Sequence, residues 1–216
     1  MSLSPELKQR VLASVADVPA PTRSQVLRTR AWLFACGIVG ALVIFFLEGG
    51  VRVGSRPPSL VALTSLGTAV IVGVGIWVLF TRGRSVLGRS GVQLLIAAIG
   101  SATLFVAWRY RISAVYGLTD AWPARPGFRC LALSIATGAL PLLGALISAR
   151  RTVPASPVAT GAAFGAGAGL GSALLVDLWC PVAYLPHLFL GHVLPIGVLA
   201  LLGGVLGSRV LRIWWR

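Results

Sequence analysis

The chain has 216 residues and a mean hydropathy of +0.88; 56% of it is hydrophobic and only 11% charged, against roughly 25% charged in an ordinary soluble domain. This excludes a water-soluble globule and reads as an integral membrane protein, with lipid as the outer solvent. The formal net charge is +14, but the arginines lie between oily runs rather than in a basic stripe interleaved with aromatics. They fit topology determinants and lipid-phosphate contacts better than direct binding of nucleic acid.

Residues 1–30 form a polar N-terminal segment. Ser4-Pro5-Glu6 supplies an N-cap hydroxyl, a proline at the first helical position and an acid near the positive end of the helix dipole. Leu7, Val11, Leu12 and Val15 then share one face opposite Lys8, Gln9 and Ser14, and Pro19 and Pro21 end the helix. One apolar face on a short helix cannot bury itself. It must lie on lipid, where Lys8 and Arg10 suit anionic headgroups, or on a partner protein.

Six apolar runs follow, at about 31–47, 59–80, 91–108, 129–149, 157–178 and 187–208. Most approach the ~20 residues that cross a hydrocarbon core as a helix. The first ends in L-E-G-G without a small-residue cleavage site, so it is expected to stay as a span and not to be removed as a signal peptide. The alternation of a lipid-facing strand is nowhere evident, and backbone groups in lipid must be satisfied within the segment. The expectation is an all-α integral membrane protein, with residues 31–216 forming a six-helix transmembrane bundle.

Loop charges set the orientation. With the N-terminus inside, inner segments hold Lys8, Arg10, Arg23, Arg28 and Arg30, then Arg82, Arg84 and Arg89, then Arg150 and Arg151, then Arg209, Arg212 and Arg216. The outer loops hold fewer: Arg52, Arg56, Arg109, Arg111, Arg125 and Arg129. The positive-inside rule therefore places both termini in the cytoplasm. The third loop, with Tyr110, Tyr116, Trp122 and Phe128 among its arginines, is expected to lie at the interface.

The fifth run carries Gly161, Gly165 and Gly169 one turn apart, and the sixth repeats the spacing at Gly203 and Gly207. Such small residues let helix backbones approach closely where hydrophobicity cannot drive association. Packing within the bundle is expected, a homodimer seam being the other reading. No Asp, Glu, Lys or Arg falls mid-run, which gives little support to an ion or proton pathway.

Two cysteines sit at outer run ends, Cys130 opening the fourth and Cys180 closing the fifth, while Cys36 lies inside the first. The outer pair admits a structural disulfide, a reducible or metal-sensing thiol pair, or two free thiols. His187 and His192 are five apart, about 140° around a regular helix, so they do not share a face as an i, i+4 zinc pair does. No metal site or cofactor is therefore read from spacing. Ser172 and His192 at similar depth suggest a Ser–His intramembrane protease, but no Asn is available for an oxyanion hole. No catalytic residue is assigned, no small-molecule substrate is identified, and the chain is read as a non-enzyme.

In chain order, F-R-C-L-A-L, R-R-T-V-P-A-S-P-V-A-T-G-A-A-F-G-A-G-A-G, L-W-C-P and G-G-V-L-G-S-R-V-L-R-I-W resemble the NrsF-like family of six-helix bacterial membrane anti-sigma factors. The resemblance covers essentially the whole chain. It departs in L-W-C-P-V, where the family often has an acidic residue after Cys-Pro. The resemblance implies a protein of the bacterial cytoplasmic (inner) membrane. Its cytoplasmic N-terminal segment would hold an extracytoplasmic-function sigma factor until an envelope signal releases it. By position the family's two cysteines fall on Cys130 and Cys180, the expected redox or signal-sensing residues, and Leu7, Val11, Leu12 and Val15 become the expected docking face. Besides the sigma factor, membrane lipids are the expected partners. The soluble zinc anti-sigma class is excluded, since H-x3-C-x2-C is absent. The alternative function is a small multi-pass transporter or channel component.

Overall fold

A computed structural model describes residues 22–51, 56–80, 91–116, 126–150, 154 and 156–211, with isolated positions 6 and 9. Leu7, Val11, Leu12 and Val15 lie outside the described residues. All regular structure among those described is helical: α1 (Arg23–Leu47), α2 (Pro58–Phe80), α3 (Gly91–Val115), α4 (Phe128–Ala149), α5 (Pro157–Trp179) and α6 (Leu185–Val210). Each is long and apolar enough to cross a membrane. Their outward faces carry large bare hydrophobics such as Trp32, Phe46, Leu66, Trp77, Ile96 and Leu201, a surface that lipid covers and water does not tolerate.

Local chemistry sets the helix ends. Thr22 caps α1 by accepting from the Gln25 N–H, while the Gln25 side chain accepts from the Thr22 N–H. The same helix stops where Gly49 and Gly50 adopt positive φ. Ser156 caps α5 by accepting from the Ala159 N–H, with Pro157 in the first helical position.

Helix α5 is the hub, packed on α6, α4, α2 and α3, while α1 lies along α4. The α5–α6 seam is made of backbone. A methyl group added at Gly161 would collide with the Gly203 carbonyl, one at Gly165 with the Leu199 carbonyl, and one at Gly169 would sit 2.7 Å from Ile196 Cα. One at Gly207 would sit 2.6 Å from the Pro157 carbonyl. Gly161, Gly165, Gly169, Gly203 and Gly207 thus all face this contact within one chain. The α1–α4 seam is similar, with Gly37 against Leu140 and Pro141, and Gly144 against the Leu33 carbonyl.

The third helix corrects one expectation. It continues through Val115 instead of ending near residue 108, so Arg109, Tyr110 and Arg111 belong to a helix and not to an interfacial loop. Arg109 is fully buried. A partner explains this: Arg109 Nε lies 2.7 Å from Asp177 Oδ1 in the last turn of α5. That ion pair lets a charged residue extend the helix inside the bundle.

A buried thiol–imidazole cluster

One end of the bundle gathers the C-terminus of α1, the N-terminus of α4, the C-terminus of α5 and the start of α6. Exposed Arg129 pairs with Glu48 at 2.9 Å and lies over the Trp179 ring, and the Trp179 indole N–H donates to the Glu48 carbonyl. Beneath this cover sit Cys130, Cys180, His187 and His192, all buried. Their candidate ligand atoms all lie within 4.8 Å of one another.

Each side chain arrives by a different local device. Cys130 is on the first turn of α4, which begins after Gly127 at φ 107°, a left-handed geometry that suits glycine. Cys180 leaves α5 in an extended conformation, its N–H still bonded to the Val176 carbonyl at 2.7 Å, and Pro181 bars further helix. Pro186 lies in the first turn of α6 and His187 follows it.

His192 depends on a π turn over Phe189–Val193. In a π turn the hydrogen bond runs from residue i+5 to residue i, here from the Leu194 N–H to the Phe189 carbonyl. The wider turn alters the 140° separation expected of a regular helix, and the His187 and His192 rings come to 5.8 Å between centroids. Gly191 makes room for this: a Cβ there would lie 2.8 Å from Cys130 Cβ. The Ser134 hydroxyl donates to the Gly191 carbonyl, satisfying an acceptor in the turn.

The polar contacts converge on His187, whose Nε2 lies 3.1 Å from Cys180 Sγ and 3.4 Å from Cys130 Sγ. Neither cysteine is in a disulfide. A hydrogen bond from Cys130 holds the Cys180 thiol well below its ordinary pKa; burial opposes this, and both histidines assist. Neither ring nitrogen of His192 has an aligned hydrogen-bond partner among the described residues, although the ring is fully buried.

Two arginines brace the backbone at the end of α5. Arg109 donates to the Cys180 carbonyl at 2.9 Å and to the Ser113 hydroxyl at 3.2 Å. Arg56 donates to the Asp177 and Leu178 carbonyls, both at 3.0 Å. These cations satisfy carbonyls that the end of α5 would otherwise leave bare. A cavity of about 350 Å³, lined by Cys130, Cys180, His187, Arg129, Trp179 and Pro181 among others, adjoins the cluster.

The fold thus brings Cys130 and Cys180 together and adds His187 and His192, which spacing alone had set aside. The Arg109–Asp177 pair was also missed. Its only signal in the sequence is a pair of opposite charges, each just beyond or just inside the end of an apolar run. The Ser172 hydroxyl is bonded to the Gly169 carbonyl of its own helix, and His192 faces the thiols. Cys36 is exposed on the outside of α1.

Over residues 15–214 the chain matches the NrsF family, described as negative regulator of sigma F. No curated protein and no solved structure matches it. With six apolar helices and a family match over nearly its whole length, the chain belongs to the NrsF family of negative regulators of a sigma factor.

Proposed function

We propose that this chain is an anti-sigma factor of the bacterial cytoplasmic membrane, with both termini in the cytoplasm and residues 1–30 holding an extracytoplasmic-function sigma factor. The docking face is Leu7, Val11, Leu12 and Val15, an apolar stripe suited to a groove in a partner. An envelope signal that alters the Cys130–Cys180 pair releases the sigma factor. The observation that carries this reading is the family match, which spans the six helices and begins within the N-terminal segment.

The packing offers a route between the two ends. The N-terminal segment runs into α1, whose far end is held to the thiol end by the Arg129–Glu48 pair and the Trp179–Glu48 bond. Along its length α1 packs on α4, which carries Cys130. Rearrangement at the thiols therefore bears directly on the helix that leads to the sigma-binding segment. The cavity of about 250 Å³ bordered by α1, α4 and α5 is lined by groups such as Phe34, Ile38, Pro141, Phe164 and Leu175. That lining suits hydrocarbon rather than an ion or polar solute and does not favour the transporter alternative.

The test is co-purification of the sigma factor with the full chain from detergent. Wild type is expected to retain it, and a variant with Leu7, Val11 and Leu12 all changed to Asp is expected to lose it. Unchanged retention by that variant sinks the docking model.

A further inference from the structure

We propose that Cys130, Cys180, His187 and His192 form a tetrahedral site for a borderline-soft divalent cation of the zinc type. The donor set is the first argument. Two thiols and two imidazoles are the ligands that structural zinc sites use, and the four come from α4, the α5–α6 turn and α6.

Geometry is the second argument. With Zn–S near 2.3 Å and Zn–N near 2.05 Å, the edges of a tetrahedron are about 3.8 Å for S···S, about 3.6 Å for S···N and about 3.3 Å for N···N. The two S···N separations to His187 are 3.1 and 3.4 Å, and no pair of the four donor atoms exceeds 4.8 Å. Closing on an ion thus asks for movements of about an ångström or less. Rotation of side chains on fixed backbone supplies that.

Burial and charge are the third argument. His192 is fully buried without a well-aligned hydrogen bond at either ring nitrogen; its ligand nitrogen lies within 4.8 Å of both sulfurs, and a metal ion would replace that loose contact with a direct bond. Two thiolates balance the charge of a divalent cation, so the filled site is neutral overall and suits a buried position better than a lone charge. The surroundings already orient the ligands: Arg109 holds the Cys180 carbonyl and Ser134 holds the Gly191 carbonyl of the π turn. The adjoining cavity reaches Cys130, Cys180 and His187 and gives an ion a path inward.

A bound ion would pin α4 to the α5–α6 turn. This deepens the sensor reading of the same thiols and rests on it for its regulatory meaning, while the binding itself does not.

The experiment uses the full chain, reduced, in detergent, with helical circular dichroism and a single elution peak required of every variant. Zinc is measured by elemental analysis and by competition with a chromophoric chelator, and cobalt(II) substitution reads the coordination. The expected result is one tightly held zinc per chain, with the d–d and thiolate charge-transfer bands of tetrahedral cobalt. His187→Gln and His192→Gln should each weaken zinc by at least the ~100-fold that loss of an outer-shell partner can cost. Cys36→Ser should leave affinity unchanged. Folded, reduced wild type without stoichiometric zinc overturns the proposal, as does unchanged affinity in both histidine variants, which would mark a thiol-only or adventitious ion. Sigma-factor retention is scored in the same preparations. Zinc-free wild type that keeps the sigma factor defeats only the metal site, and zinc-bound wild type that does not hold it defeats only the anti-sigma reading.

Discussion

Arg109→Met offers the most direct test of what holds the thiol end together. Both side chains of the Arg109–Asp177 pair are almost wholly shielded, at 1% and 0% exposure, and lie 2.7 Å apart. Removing one member of a buried pair costs about 3–5 kcal/mol, because the partner charge stays behind without compensation. Arg109→Met also strips a charged donor from the Cys180 carbonyl and the Ser113 hydroxyl, bonds of a kind that contribute about 1.5–3 kcal/mol each before neighbours relax. These losses overlap and are not summed, so the expected destabilisation is about 4 kcal/mol. Asp177→Leu alone leaves the arginine charge buried and should cost about 3 kcal/mol or more. The double variant removes both charges and keeps apolar volume, so it should recover much of the loss. Arg56 still donates to the backbone at the end of α5 in all of these variants. The assay is reversible unfolding in mixed detergent micelles, followed by helical circular dichroism across the four members of the cycle. A coupling energy of about 2 kcal/mol or more is expected, since directly contacting residues couple by 0.5–3 kcal/mol. Additivity within about 0.5 kcal/mol, or an Arg109→Met cost below about 1 kcal/mol, would refute the claim that the pair acts as a buried unit.

The same unfolding assay tests two further readings. Gly165→Leu forces a side chain into the Leu199 carbonyl of α6, backbone that cannot swing aside, and should cost at least the ~1–3 kcal/mol typical of overpacking. Gly171→Ala, where nothing lies within 4 Å of the added carbon, should be neutral or stabilising by up to ~1 kcal/mol through helix propensity. Equal effects at the two positions would contradict a backbone-to-backbone seam. Glu48→Gln breaks an ion pair whose side chains are 66% and 44% exposed, so a change under about 1 kcal/mol is expected. A much larger loss would mean that the pair carries more of the α1–α4 contact than its exposure allows.

Much of the architecture was legible in the residue pattern. Lipid demands apolar side chains and internally bonded backbone along every span, so the six runs stand out, and five of the six structural helices agree with them within a few residues apart from the polar stem of α1. The glycine spacing on α5 and α6 was equally visible, because close approach requires small residues at a fixed helical interval. The length of α3 was not. Arg109 reads as a loop residue until Asp177, far along the chain, is placed 2.7 Å away.

The cluster at the end of the bundle divides in the same manner. The sequence by itself determined a membrane-spanning helical chain with one cysteine at the start of the fourth span and another at the end of the fifth. Only the tertiary structure decided that these thiols meet, and that two histidines join them. A separation of about 140° holds only for a regular helix from His187 to His192, whereas a π turn, roomy because Gly191 lacks a Cβ beside Cys130, changes the direction in which His192 points. Local spacing reports faces only while the helix stays regular; packing against α4 is what accompanies the departure here.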